Sequence, residues 1–217
     1  MTQLRNAVRS RRVLVITVGV VLAVGLGTSA AILGPELFAP EQAAKATNAA
    51  AKPNQTNSSA PVKPAGFTDF RSEQAGFELS YPSTWSRLSP KDPQVLLLVS
   101  RGTQESFLIR ASELPEPIGP EQVLAARQFT DQLVTSNKSV QLVAEPKQIE
   151  LGGLPGLFYF YNFTDAASGQ EGAHSHYFLF NGKTMISLVF QTLPKERFAE
   201  SAKTFDDITA TFRAVKV

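Results

Sequence analysis

The chain has two histidines, His174 and His176, and they stand two positions apart. On a strand such a pair projects to one face, where it could titrate together or hold part of a metal site. Zinc or iron takes at least three protein ligands, and the sequence contains no cysteine. Asp165, Glu171 or a more distant residue would have to complete the set. The expectation is therefore no metal and no cofactor, with the histidines at an exposed strand end beside a Gly/Ser-rich loop. The missing thiols also exclude disulfides, a cysteine nucleophile and a lipid-modified N-terminal cysteine. A serine hydrolase would need an exposed nucleophile, and no G-x-S-x-G elbow is present to supply one. Asp206 and Asp207 are adjacent on a presumptive helix, so their carboxylates diverge by about 100° and do not converge on a substrate. The nearby Lys195, Glu196, Arg197, Glu200 and Lys203 read as mixed surface charge. No enzyme is expected.

A second candidate is aromatic. Phe158-Tyr159-Phe160-Tyr161-Asn162-Phe163 sends large rings to both faces of any strand it forms, so both faces must be covered. Helices packed on each face of a sheet would do this. Part of the run could also line an apolar cleft, with the tyrosine hydroxyls at its polar edge. Tyr159, Tyr161, His174 and His176 are accordingly the candidate ligand- or partner-binding residues.

These residues need a frame to hold them. Residues 67–217 are enough for one domain with a substantial core. Strands are predicted at 76–81, 95–101, 107–112, 139–151, 156–164, 175–180 and 184–191 from β-branched and aromatic content. Asn181-Gly182 is the preferred dipeptide of a two-residue hairpin, and Gly152-Gly153 reads as a strand-connecting turn rather than a phosphate loop. A helix opening at Pro120 would bury Val123, Ala126, Phe129 and Leu133. A second, from about Pro194, would bury Phe198, Ala202, Phe205, Ile208 and Phe212. Trp85, the single tryptophan, is expected to close one end of the core.

Charge divides the chain unevenly. Residues 1–66 carry +5 and residues 67–217 carry −3, so the domain lacks the clustered cations of a nucleic-acid groove. No nucleic-acid partner is expected. Val13 to Leu33 contains no charged residue and would span about 31 Å as a helix, close to the hydrocarbon thickness of a bilayer. Arginines precede it, which predicts a cytoplasmic basic N-terminus over 1–12, a transmembrane helix over 13–33 and the remainder outside the cytoplasm. Small residues at 28–31 leave signal-peptide cleavage and secretion as the alternative. Residues 34–66, rich in Ala, Pro, Asn and Ser, read as a disordered linker. The localisation expected is thus a single-pass plasma-membrane protein, with its own anchor and another envelope or membrane protein as partners.

Gly76-Phe77-Glu78-Leu79-Ser80-Tyr81-Pro82-Ser83-Thr84-Trp85, with its YP-x-x-W turn, resembles the opening of PsbP-like domains, a group named for an extrinsic subunit of photosystem II. Leu151-Gly152-Gly153 and the closing F-x-x-I-x-x-T-F of Phe205 to Phe212 continue the resemblance, which covers residues 67–217. It implies an α+β fold, an α-β-α sandwich around a mainly antiparallel sheet, acting as a non-enzymatic binding or assembly module. The anchor and linker resemble membrane-tethered actinobacterial relatives. The chain lacks a chloroplast transit peptide, so no photosystem role is implied, and no functional residues transfer. The function expected is a membrane-anchored extracytoplasmic module for another envelope protein or complex. The alternatives are a binder of a small apolar or lipid-like ligand and, third, a secreted enzyme.

Overall fold

A computed structural model describes residues 63–215. Ten strands and two α-helices follow in chain order: β1 (Phe67–Ser72), β2 (Phe77–Pro82), β3 (Ser86–Arg87), β4 (Val95–Arg101), β5 (Glu105–Ile118), α1 (Val123–Thr135), β6 (Gln141–Leu142), β7 (Lys147–Leu151), β8 (Leu154–Thr164), β9 (Glu171–Thr192), α2 (Phe198–Ala210) and β10 (Arg213–Ala214). The large sheet is antiparallel throughout, ordered β3-β4-β5-β9-β8-β6, with β7 also pairing β8. A three-stranded sheet, β1-β2-β10, stands apart from it. One face of the large sheet packs on α2 and the small sheet, the other on α1. The α+β sandwich with a mainly antiparallel sheet is therefore present.

The expected transmembrane helix over 13–33, and the linker up to residue 62, lie outside the described residues. Among the described residues no helix is long and apolar enough to cross a membrane. α1 and α2 have 13 residues each, about 20 Å of helix, and each keeps a polar face. The single-pass membrane architecture, the chain's own anchor as membrane partner and the plasma-membrane location are corrected accordingly. The described residues form a sandwich, and none of their helices spans a membrane.

Alternation explains which residues enter the core. Phe77, Leu79 and Tyr81 on β2, Leu97 and Val99 on β4, and Phe107 and Ile109 on β5 are buried at period two. Phe107 lies opposite Phe190 across the β5–β9 ladder, their rings stacked at 4.4 Å. Beyond Glu113 the β5–β9 register shifts, where Pro115 and Pro117 remove ladder donors.

β9 doubles back on itself. Gly172 lies against the Thr192 carbonyl, and the His174 ring bonds Gln191 at 2.8 Å; a straight strand would hold residues 172 and 192 about 65 Å apart. The reversal falls at Asn181-Gly182, where Gly182 has φ +59°, a left-handed conformation that favours glycine. Gly156 is required for a different reason. A Cβ there would stand 2.3 Å from the Phe178 carbonyl oxygen, so Gly156→Ala must push β8 from β9. We expect a loss of about 1–3 kcal/mol in urea denaturation; an unchanged midpoint would mean that the two strands have slack.

The helices depart from their predicted faces in one informative respect. α1 buries Val123, Ala126, Thr130 and Val134, while Phe129 remains 41% exposed. Thr130 faces the sheet because its hydroxyl meets that of Tyr159 at 2.6 Å, and this rotates Phe129 outward. α2 buries Ser201, Phe205, Ile208 and Thr209, with Phe212 just beyond. Phe198 and Ala202, also expected in the core, are only half-buried.

Candidate functional site

The two faces of β8 and the first arm of β9 carry different chemistry. On the α1 face, Tyr159, Tyr161, His174 and His176 are all buried, so the histidines do not occupy the exposed strand end that their sequence context suggested. Antiparallel pairing sets Tyr159 opposite His176 and Tyr161 opposite His174. The Tyr161 hydroxyl lies 3.1 Å from Nδ1 of His174 and 3.2 Å from Nδ1 of His176. Nε2 of His174 donates to Oε1 of Gln191 at 2.8 Å, which leaves its Nδ1 an acceptor. Tyr161 then donates to His174 and accepts from Nδ1–H of His176, forming one directed chain of neutral groups. Nε2 of His176 is buried without a partner.

Burial sets the proton affinities. It pushes His174 down to about 4, against a smaller opposing effect of the Gln191 hydrogen bond, and His176 down to about 3, with His174 as a second cause. It also holds the Tyr161 hydroxyl above the ordinary phenol range. Tyr159 is raised by burial first, while it donates to Oδ1 of Asp131 at 2.7 Å. These groups tie α1 to the sheet, with little of their surface left to meet a ligand. Among the described residues no three His, Cys, Asp or Glu side chains gather as a metal-holding group.

The opposite face is built from the alternate residues of the same strands. Phe158 and Phe160 of β8 with Ser175 and Tyr177 of β9 form the floor of a half-open cleft of about 330 Å³, and Phe198, Ala202 and Phe205 of α2 form its roof. Phe160 meets Phe198 at 4.7 Å between ring centroids, and Phe158 meets Tyr177 at 4.8 Å. Burial pushes the Tyr177 hydroxyl up to about 12, so it stays neutral and can serve as a hydrogen-bonding group. Ala144, Glu145 and Lys147, around the start of β7, close the side at the sheet edge.

Three charged residues border this apolar interior. Glu145 is held by Arg127 at 2.6 Å. Lys147 on the sheet side and Asp206 on the helix side enter no ion pair among the described residues. The arrangement can hold an apolar group and meet a charge of either sign at its rim. It contains no paired nucleophile and base. The aromatic run thus contributes Phe158 and Phe160 to the cleft, whereas Tyr159 and Tyr161 lie on the other side of the sheet. The signal in the sequence was the parity of the run, read together with the spacing of Phe198 and Ala202 on α2.

No family model and no curated protein matches the sequence. Solved structures do. LpqN, a protein involved in cell envelope biogenesis of Mycobacterium tuberculosis, matches with a TM-score of 0.51 at 13% identity, over 64% of this chain and 83% of its own. The cyanobacterial PsbP, CyanoP, of Synechocystis sp. matches with a TM-score of 0.50 at 16% identity, over 73% of this chain and 98% of its own. A protein of Bacteroides thetaiotaomicron matches with a TM-score of 0.48 at 19% identity, over 70% of this chain, which spans about half (49%) of that protein's length. The likenesses to CyanoP and LpqN show a PsbP-like fold at low identity.

Proposed function

We propose that the domain is a non-enzymatic binding module that holds a partner protein, and that the cleft beneath α2 receives an apolar side chain of that partner. The observation that carries this reading is a set of half-buried rings, Phe158, Phe160, Tyr177 and Phe198, around one half-open cleft. Phe77, Phe107 and Phe190 are fully buried, and the other half-buried rings, Phe67 and Phe70 on β1 and Phe163 at the end of β8, do not line this cleft. Rings left partly open in a concave site are what an anchoring side chain needs. A second reading is favoured by the size of the cleft, which lies at the lower end of small-ligand sites: a compact apolar molecule held against the same rings.

The test is site-directed photo-crosslinking in cells that produce the full chain, with a benzophenone side chain at position 198 and, as control, at Leu124 on the outer side of α1. Leu124 is 67% exposed. A discrete protein adduct from position 198 and none from position 124 is the expected result. An adduct of small-molecule mass from position 198 would replace it with the second reading. No adduct from position 198, or equal capture at both positions, would overturn both.

A further inference from the structure

The sheet edge beside the cleft has a free side. β7 pairs with β8 and with no other strand among the described residues. Lys147 and Gln148 are exposed, and from Gln148 onward its residues alternate, with Glu150 exposed and Ile149 and Leu151 half-buried. Leu151 and Leu154 face each other across the two-residue Gly152-Gly153 turn, which makes them the closing hydrogen-bonded pair of the hairpin. Residues 149 and 147 therefore also bond toward β8, and the N–H and C=O groups of Gln148 and Glu150 point outward. The same parity holds on β8, where the Phe160 carbonyl accepts from Val143 N–H at 3.0 Å. At the far end, Ala214 N–H bonds the Gly152 carbonyl at 2.8 Å, which limits the free edge to Gln148 and Glu150. The edge and the cleft share Lys147: it begins β7 and lines the cleft.

We infer that β7 is an augmentation edge, and that its occupant is an extended peptide segment pairing with Gln148 and Glu150 while placing one bulky apolar side chain in the cleft. This rests on the binding reading above and names the form its partner takes. An added strand supplies affinity through main-chain bonds and specificity through pockets for alternate side chains, and both elements lie side by side here. The charges complete the description. Lys147 at the sheet edge and Asp206 on α2 stand at opposite walls without ion-pair partners, so the matching segment carries an acidic residue toward β7 and a basic residue toward α2. Glu145, already satisfied by Arg127, leaves the Lys147 charge available. Opposite charges at a rim set orientation and register more than affinity, so the acid-apolar-base order should be read in one direction.

A random dodecapeptide library displayed on phage, selected on the full chain, tests this. The expected consensus is a large aromatic or aliphatic residue with an acid on one side and a base on the other. A synthetic peptide of that consensus should slow amide hydrogen exchange at Gln148 and Glu150 by about tenfold or more. Its affinity should fall about tenfold when the central residue becomes Ala. Selection on the double variant Lys147→Glu, Asp206→Lys should reverse the order of the charges. Enriched peptides that compete at the cleft yet leave exchange at Gln148 and Glu150 unchanged would overturn the augmentation and leave the cleft reading standing. An unchanged charge order on the double variant would overturn the assigned orientation. Failure to enrich any motif, together with a protein adduct from position 198, would overturn the extended-peptide form alone.

Discussion

Between pH 7.5 and pH 5 the domain should lose about 2 kcal/mol of unfolding free energy for each of His174 and His176, about 4 in all. Both imidazoles are buried and neutral, with proton affinities lowered by burial from an ordinary 6.5 to about 4 and about 3. In the unfolded chain they protonate near 6.5. The unfolded state therefore binds more protons throughout the interval, and stability falls as pH falls. The contribution is complete above 6.5 and is lost progressively down to the folded values, where the slope ends. Most carboxylates titrate below pH 5, so the interval isolates the histidines. The Tyr161 hydroxyl sharpens the effect, because it donates to Nδ1 of His174 and accepts from His176. A proton added to His174 at Nδ1 would displace that bond. Urea denaturation at pH 7.5, 6.5 and 5, followed through the buried Trp85, measures the slope. His176→Gln should halve it and the double variant with His174→Gln should flatten it; equal slopes in all three proteins would show that the imidazoles do not titrate as a buried pair.

The architecture was legible in the sequence because its elements are set by local pattern. β4 runs from Val95 to Arg101 as its β-branched and leucine run predicts, and α2 follows the spacing of Phe205, Ile208 and Phe212. β1, β3 and β10 were not legible. Each is an edge strand of mixed polarity, defined by its pairing and not by local propensity: β1 pairs the neighbouring β2, β3 pairs β4, and β10 pairs β2 from the far end of the chain. The predicted 139–151 strand divides into β6 and β7 because both pair with different stretches of β8, and Pro146 lies between them. The membrane segment, the plainest feature by composition, has no counterpart among the described residues.

The site was half legible. Alternation correctly implied rings on both faces of β8, but a period of two cannot say which face is closed. Thr130 decides it: a threonine on α1, bonded to Tyr159, draws that helix onto the tyrosine face, while α2 leaves Phe158 and Phe160 partly open. The choice depends on how two helices of similar length seat on one sheet, and no window of sequence records that. The histidines show the same limitation. Their spacing gave the shared face, but Gln191, which closes their hydrogen-bond chain, reaches them only because β9 folds back at Asn181-Gly182.

Trp85→Ala should cost about 3–5 kcal/mol, a large share of the 5–15 kcal/mol expected for a domain. The indole is 5% exposed and stands edge-on to Phe205 at 6.4 Å. Phe205 in turn packs on Phe190 at 4.9 Å and on Phe198 at 5.6 Å. Removing the indole therefore opens a cavity beneath α2, where neighbouring rings are fixed by the sheet and only partial collapse is available. The loss should extend to the cleft, because Phe205 and Phe198 form its roof. Circular dichroism in urea measures the stability without the indole, and a peptide selected on the native chain measures the site. Trp85→Phe should recover most of the stability by restoring an aromatic contact with Phe205. A denaturation midpoint for Trp85→Ala equal to that of the parent would show that the turn closes without the ring. A stability loss with undiminished peptide affinity would place the cleft roof under the control of the sheet contacts of Phe205 alone.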